Sequence, residues 1–570
     1  MRVLVTCLVV LSSTVVPAQR SVGVIAGTVI DGTTRQAVGG ATVTLAAEAA
    51  TTSMMTTRDG RFLFRDLAGG KYSISASRPG YIASGYGKLG PADRQRPFEL
   101  REGERALDLS IPLWPFGVIH GLVTDEKGQP VVGCTVRALR KRFVGAKSGF
   151  WPEVSGRTDD RGMYRFSNLL PGDYLLAVQG EPQSSTKSTA GYPSTFYPSV
   201  IAAGAATELT VTSGGELGPF DITITDEKMV RLSGLVRSLR PDSVTVVVTR
   251  DSNNDGRLVD MDVMRVRTDA QHRFSVSGLA PGAYTLEVLD FPRDSFGSPF
   301  FRIAEGLFRA EGTGPPLGSG QPLPATTEAP TLWARRRVEI GDRDLANVEI
   351  DLAPATPLRG RVVFDGARPE AARLLSTPVM LMDVSGRELR MPASRIEADG
   401  RLAFWGVPPG RYVLVFPFGP IGYAPVSLAL NGRVLEGDVL DVSDDAASPE
   451  LIVTMAEIGG TVSGSVVAAD GRAASTATVI LYPQDRRTWP LLSQASHRLR
   501  STATSRDGRF MIATVPPGDY YVLAIDGPLP ERWRTPEYLG AVTSLARKAA
   551  LSRGQGAVLS LPVTSQAGRR

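Results

Sequence analysis

The sequence predicts an all-β chain: a tandem array of about five immunoglobulin-like β-sandwiches following a signal peptide. Three observations predict it. One stretch recurs five times, reading SRDGRFMIATVPPGDYYVLAI at 505–525, with further copies starting at Thr57, Asp159, Asp269 and Ala398. Within each copy apolar and polar residues alternate, the periodicity of a half-buried strand. Gly (60) and Pro (41) are plentiful, as short strands joined by turns require.

A chain of 570 residues is too long for one core. The Tyr after the second turn of the repeat recurs at 72, 174, 284, 412 and 520. Spacings this long mark a string of domains, since solenoid repeats run about 20 to 50 residues. The expected division is a signal peptide at 1–18 and sandwiches at 19–113, 114–226, 227–353, 354–456 and 457–570. The third holds a Gly/Pro-rich loop at 312–330 whose composition builds no core.

The leader opens on Arg2, continues through the apolar run 3–16 and offers small residues for cleavage around Val16-Pro17-Ala18. The run is short for a membrane span, and no later segment is apolar enough to cross. The chain is therefore expected to be exported, to the periplasm, the cell surface or the medium. After cleavage Cys134 is the one remaining cysteine, so packing alone holds the sandwiches together. Its place at a strand start suggests a small buried residue.

Each domain begins with a strand centred on glycine: Gly27, Gly121, Gly234, Gly360 and Gly464. Glycine inside a strand marks a bulge or a close backbone approach. A β-branched second strand follows, as in Ala41-Thr42-Val43-Thr44-Leu45. The repeat itself reads as a β-hairpin, with Asp-Gly or a variant before its first strand and Pro-Gly before its second. Its inward residues by parity are Phe62, Phe64, Tyr72 and Ile74 in the first copy and Phe510, Ile512, Tyr520 and Val522 in the fifth. In the third copy His272 replaces the turn glycine, a position at which His tolerates a left-handed backbone. Each domain closes on a short alternating strand, the last at 557–563. The best helix candidate is 541–551.

The order Gly-x-Val strand, Ala-Thr-Val strand, Asp-Gly-Arg-Phe, Pro-Gly-x-Tyr resembles the carboxypeptidase regulatory-like domain, a transthyretin-like β-sandwich found in tandem in exported bacterial proteins. The second unit adds Phe196-Tyr197-Pro198 and Ser213-Gly214-Gly215-Glu216, similar to bacterial members of that group. The resemblance implies a non-catalytic accessory fold, related to sandwiches classed as carbohydrate-binding-like.

Catalytic and metal chemistry has little footing. The three His, at 120, 272 and 497, lack the spacing of a zinc peptidase, and no Gly-x-Ser-x-Gly elbow is present. No enzyme is expected. The net charge of +5 is spread along the chain without a basic run, so no nucleic-acid partner is expected. One segment, Asp251-Ser252-Asn253-Asn254-Asp255-Gly256, begins like a calcium loop, with Asp251, Asn253 and Asp255 as oxygen ligands and Asp262 at the twelfth position. Asp262 is shorter than the usual Glu, the flanks read as strands, and a solvated turn is the competing reading. No other cofactor is expected.

Aromatic residues outside the repeats offer flat faces for sugar rings. They are Tyr81 and Tyr86; Tyr192, Phe196 and Tyr197; Phe296, Phe300 and Phe301; Tyr423; Trp533 and Tyr538. The competing reading is that they cap the sandwich cores. The expected function is a binding or adhesion scaffold, with glycan as ligand class and Tyr192, Phe196, Tyr197, Trp533 and Tyr538 as ligand residues. The alternative is a structural spacer or protein-interaction arm whose partner is an envelope protein.

Overall fold

The structure is a computed structural model. It describes residues 22–47, 50–91, 93, 95–144, 147–179, 181–182, 190–238, 240, 242–251, 258–259, 263–291, 329–383, 393–416, 422–435, 439–443, 449–457, 460–491, 498–552 and 554–564. The leader at 1–18 and most of the loop at 312–330 lie outside these residues. The fold is all-β, with five sandwich cores in tandem.

Each core is built the same way. In the first sandwich the opening strand Gly23–Asp31 pairs antiparallel with the fourth strand Arg61–Leu67 and parallel with the closing strand Arg105–Pro115. The facing sheet places the second strand Thr42–Ala46 between the third, Thr51–Met55, and the fifth, Gly70–Ser77. Equivalent pairings recur in the other four sandwiches.

This corrects the hairpin reading of the repeat. The fourth and fifth strands are consecutive, yet they never pair with each other. In all five copies the fourth joins the opening strand and the fifth joins the second strand; these lie in separate sheets in the first four sandwiches, whereas in the fifth the two sheets are joined where Gly518–Asp526 pairs with Ala557–Thr564. The repeat is an arch that crosses the core, and its two strands meet through side chains. A hairpin and an arch have the same alternation, so periodicity could not separate them. The parity assignment stands: all four inward residues of every copy are buried, from Phe62 and Ile74 in the first to Phe510 and Val522 in the fifth.

The opening glycines sit where expected. A Cβ at Gly27, Gly121, Gly234, Gly360 or Gly464 would collide with a backbone carbonyl oxygen of the closing segment, that of Leu559 in the last case. Only hydrogen fits between these parallel strands. His272 adopts a φ of +58°, and its carbonyl accepts from Val236 N as Gly60 accepts from Val29 N.

Residues 1–116 and 117–570 form two compact units. Within the second unit neighbouring sandwiches exchange backbone contacts. Leu258–Val259, from the third sandwich, adds a parallel strand beside Gly149 and Phe150 of the second. Thr331 N donates to the Trp405 carbonyl at 2.7 Å, tying the third to the fourth. An Arg498 guanidinium N–H donates to the Val426 carbonyl at 2.8 Å, tying the fifth to the fourth.

The expected helix at 541–551 is displaced. An α-helix runs Pro536–Val542, with Thr535 Oγ1 accepting from Tyr538 N at 3.3 Å as its cap. Arg547–Leu551 is instead a strand paired with the fifth strand. Its alternate residues Ala549 and Leu551 are buried in the sandwich core, and that burial overrides the helical propensity of an Ala-rich run.

Candidate functional site

The aromatic candidates expected from sequence lie in the segments after the fifth strand, and the fifth strand determines what those segments do. In the first sandwich this strand, GKYSISAS, alternates and turns Ser73, Ser75 and Ser77 outward. In the second and fifth, GDYLLAV and GDYYVLAID are apolar on both faces. A strand of that kind must be covered on both sides. The following segment folds back to do so.

In the second sandwich the cover is made by Phe196, Ala203 and Ala206 over Leu139, Leu175 and Ala177. In the fifth it is Trp533, Leu539 and Val542, joined by Trp489 from the segment after the second strand, over Ile480, Tyr482, Leu523 and Ile525. Phe196 is 0 % exposed and Trp533 8 %. The expectation that these two rings form an open platform is therefore corrected: both are packed. Tyr538 leans half-buried on the same layer as Trp533. Arg534 lies over the outer face of the Trp533 ring, 4.8 Å from its centroid.

Tyr192 and Tyr197 are half-buried against the main core of the second sandwich. Tyr197 meets Phe220 edge to face at 5.1 Å. The Tyr192 hydroxyl is held above its ordinary pKa, first by burial and then by the carboxylates of Glu126, Asp226 and Asp125. The other candidates also pack. Tyr86 meets Phe98 edge to face, and Tyr423 meets Phe364 edge to face while donating from its hydroxyl to the Ala367 carbonyl. Tyr81 rests against the first core beneath Arg78. Phe296, Phe300 and Phe301 lie outside the described residues.

What the second-sandwich loop does open to solvent is a groove of about 440 Å³. Its walls include Thr195, Ser199, Val200, Ala202, Thr223 and Glu227. Ser199 Oγ accepts from Thr223 N at 2.8 Å, which pins the loop to the closing segment. The groove therefore offers hydroxyls, small apolar groups and one carboxylate, while the neighbouring rings point inward.

Of the calcium-type residues, Asn253, Asp255 and Asp262 lie outside the described residues. Asp251 is already engaged: Oδ1 accepts from Thr285 Oγ1 at 2.7 Å, and Oδ2 lies 3.1 Å from Arg337 Nε. Among the described residues, no group of three or more His, Cys, Asp and Glu side chains is placed to hold a metal ion. Nor is any helix there long and apolar enough to cross a membrane.

Two recurring polar devices went unread in the sequence. The first is the hydroxyl of the repeat Tyr, which donates to the carbonyl four residues earlier in every copy: Tyr72 to Ala68, Tyr174 to Leu170, Tyr284 to Ala280, Tyr412 to Pro408 and Tyr520 to Pro516, all at 2.7–2.9 Å. This is a tyrosine corner, a device of immunoglobulin-like sandwiches. The second is a buried Thr four residues before the turn, at 56, 158, 268 and 504. Its Oγ1 accepts from the backbone N–H at the start of the second strand. The signal was available as a Thr at a fixed distance from the turn in four of the five copies, with Ile396 in the fourth.

Residues 24–101 and 118–223 match the carboxypeptidase regulatory-like domain family. Colossin-A of Dictyostelium discoideum is 22% identical over 405 residues, covering 65% of this chain. The chain spans 3% of the length of that curated relative. Among solved structures, a streptococcal ancillary pilin is 12% identical and covers 59% of this chain and 98% of its own, with a TM-score of 0.20. A minor pilin of Streptococcus agalactiae is 18% identical, covering 36% and 96%, with a TM-score of 0.21. The Bacillus anthracis TIE protein is 12% identical, covering 79% and 74%, with a TM-score of 0.15. These two matched regions, residues 24–101 and 118–223, are consistent with repeated carboxypeptidase regulatory-like domains.

Proposed function

We propose that the chain is an exported, non-catalytic scaffold, a run of five sandwiches at 19–113, 114–226, 227–353, 354–456 and 457–570 that carries binding surfaces. The observation that carries this reading is the fate of the recurring residues. The opening glycine, the buried Thr, the arch and the corner Tyr are all used for packing and backbone pairing. The residues that vary between sandwiches cover the outer faces and shape the loops. The leader at 1–18 supports export.

The inward turn of Phe196 and Trp533 favours a spacer or protein-interaction arm in the cell envelope over an aromatic sugar platform. A glycan remains the second reading, supported by the hydroxyl-lined groove in the same loop as Tyr192 and Tyr197. A glycan array probed with the full chain tests it. Retention on a polysaccharide that is lost in Tyr192→Ala and Tyr197→Ala, with the melting profile kept, supports the glycan reading. An array with no bound glycan leaves the spacer reading.

A further inference from the structure

The third strand forms the edge of its sheet in the first, third, fourth and fifth sandwiches. An open edge presents unpaired N–H and C=O groups and invites another strand, so natural edges carry charge, proline or a cover. Four of the five copies obey this. In the second sandwich the equivalent edge, Lys147–Arg157, pairs with Leu258–Val259 at Gly149 and Phe150 and carries Pro152, Glu153 and Arg157 farther along. The third sandwich has VMRVR at Val263–Arg267, the fourth ASR at Ala393–Arg395 and the fifth RSTA at Arg500–Ala503, each with arginine in the strand.

The first sandwich departs from the pattern. Its edge strand Thr51–Met55 reads TTSMM, without charge or proline. Among the described residues it pairs only with the second strand, in a regular register from Thr42↔Met55 to Ala46↔Thr51 with no bulge. Met55 is 66 % exposed. The outward residues beside it, Thr42, Thr44, Ser73, Ser75 and Ser77, are small and uncharged. On that face the strand next to the edge presents Thr42, Thr44 and Ala46, and the charges Lys71 and Glu99 lie opposite each other farther in, so no charge stands directly beside the edge.

We propose that Thr51–Met55 is an interaction edge that takes a second copy of itself, joining two chains through one continuous sheet. Two arguments select this occupant. The first is that the equivalent edge of the second sandwich already takes an added strand at Gly149 and Phe150, so this edge geometry accepts one. The second is charge. An antiparallel pair related by a two-fold axis at Ser53 sets Thr52 against Met54 and Thr51 against Met55, with no like charges opposed. The same self-pairing at Val263–Arg267 would bring Arg265 against Arg265. Backbone hydrogen bonds supply the attraction, as in other strand-addition complexes. This goes beyond the scaffold reading and holds whatever the groove of the second sandwich binds.

Sedimentation equilibrium of the full chain tests the proposal. The wild-type chain is expected to dimerise at micromolar concentrations. Ser53→Lys opposes two ammonium groups on the axis and should weaken the dimer at least ten-fold, while the exposed position keeps the melting profile unchanged. Mild oxidation reads the register. Ser53→Cys should crosslink to its own copy, whereas Thr51→Cys alone should not, because the two copies of residue 51 lie about 13 Å apart across the axis, beyond disulfide reach of about 7 Å. The double variant Thr51→Cys/Met55→Cys should crosslink again. A wild-type chain that stays monomeric, a dimer indifferent to Ser53→Lys, or crosslinking at Thr51→Cys alone would each overturn it.

Discussion

Tyr520 Oη donates to the Pro516 carbonyl at 2.9 Å across the turn between the two sheets of the fifth sandwich. The ring is buried in the core while the hydroxyl closes the loop that carries the arch from one sheet to the other. The same bond in four other sandwiches explains why the repeat keeps Tyr where Phe would fill the core equally well.

Tyr520→Phe should keep the packing and lose the bond. The cost is about 1 to 3 kcal/mol, because the Pro516 carbonyl loses its buried partner. Tyr520→Ala also leaves a cavity and should cost about 3 to 5 kcal/mol. Denaturant unfolding of the full chain, followed through the transition of the fifth sandwich, measures the difference.

The opening glycine gives a second contrast. Gly464 has a φ of +153°, and a Cβ there would collide with the Leu559 carbonyl oxygen. Gly471 is also left-handed, at +80°, with nothing within 4 Å of its would-be Cβ. Gly471→Ala should cost about 1 to 2 kcal/mol, the price of the backbone conformation. Gly464→Ala adds the steric clash and should cost about 2 to 5 kcal/mol or leave the fifth sandwich unfolded. Melting of the two variants side by side separates the terms.

The sequence made the elements and the core legible, because parity sorts every inward residue of the arch once the five copies are aligned. It left the pairing of those strands unread, since alternation says which face is buried and nothing about which neighbour supplies the hydrogen bonds. The aromatic candidates were misplaced for a related reason. The runs LLAV at 175–178 and YVLAI at 521–525 lack alternation, which signals that both faces are covered, and the aromatics downstream are that cover. The groove of the second sandwich had no signal at all, because it is lined by small residues brought together only by the loop's return to the closing segment.

Burial of Tyr482 gives the fifth sandwich an alkaline limit. Burial pushes its hydroxyl up to about 12, against the opposing effect of the bond to Thr543 Oγ1. Unfolded tyrosine ionises near 10. With the folded pKa the higher of the two, the stabilising contribution is complete below about pH 10 and is lost as pH rises toward 12. Tyrosinate absorbance and circular dichroism should therefore show the fifth sandwich opening in that window. Tyr482→Phe should move the opening to higher pH.

Asp251 bonded to Thr285 and Arg337 behaves as part of the third sandwich's own ion pairing. Asp251→Asn should lower the melting temperature of that sandwich slightly, as expected for a half-exposed pair worth about 1 kcal/mol or less. The loss should be the same in calcium and in chelator. A stabilisation by calcium in the wild-type chain that disappears in Asp251→Asn would show instead that the carboxylate leaves Arg337 for the ion.

Thr504 tests the buried hydroxyl before the turn. Its Oγ1 accepts from Ala477 N at 3.1 Å and donates to the Ala477 carbonyl at 3.1 Å. Thr504→Val keeps the shape and leaves the Ala477 N–H buried without this acceptor, a cost of about 1 to 3 kcal/mol. The fourth sandwich supplies the control. Ile396 holds the same place there, and its N–H donates to the Thr377 carbonyl at 3.4 Å. Ile396→Val should cost only about 0.5 to 1.5 kcal/mol, the loss of one methylene with no bond broken. If Thr504→Val proves as mild as Ile396→Val, the hydroxyl does not hold the second strand to the turn, and the apolar contacts of the core alone fix that junction.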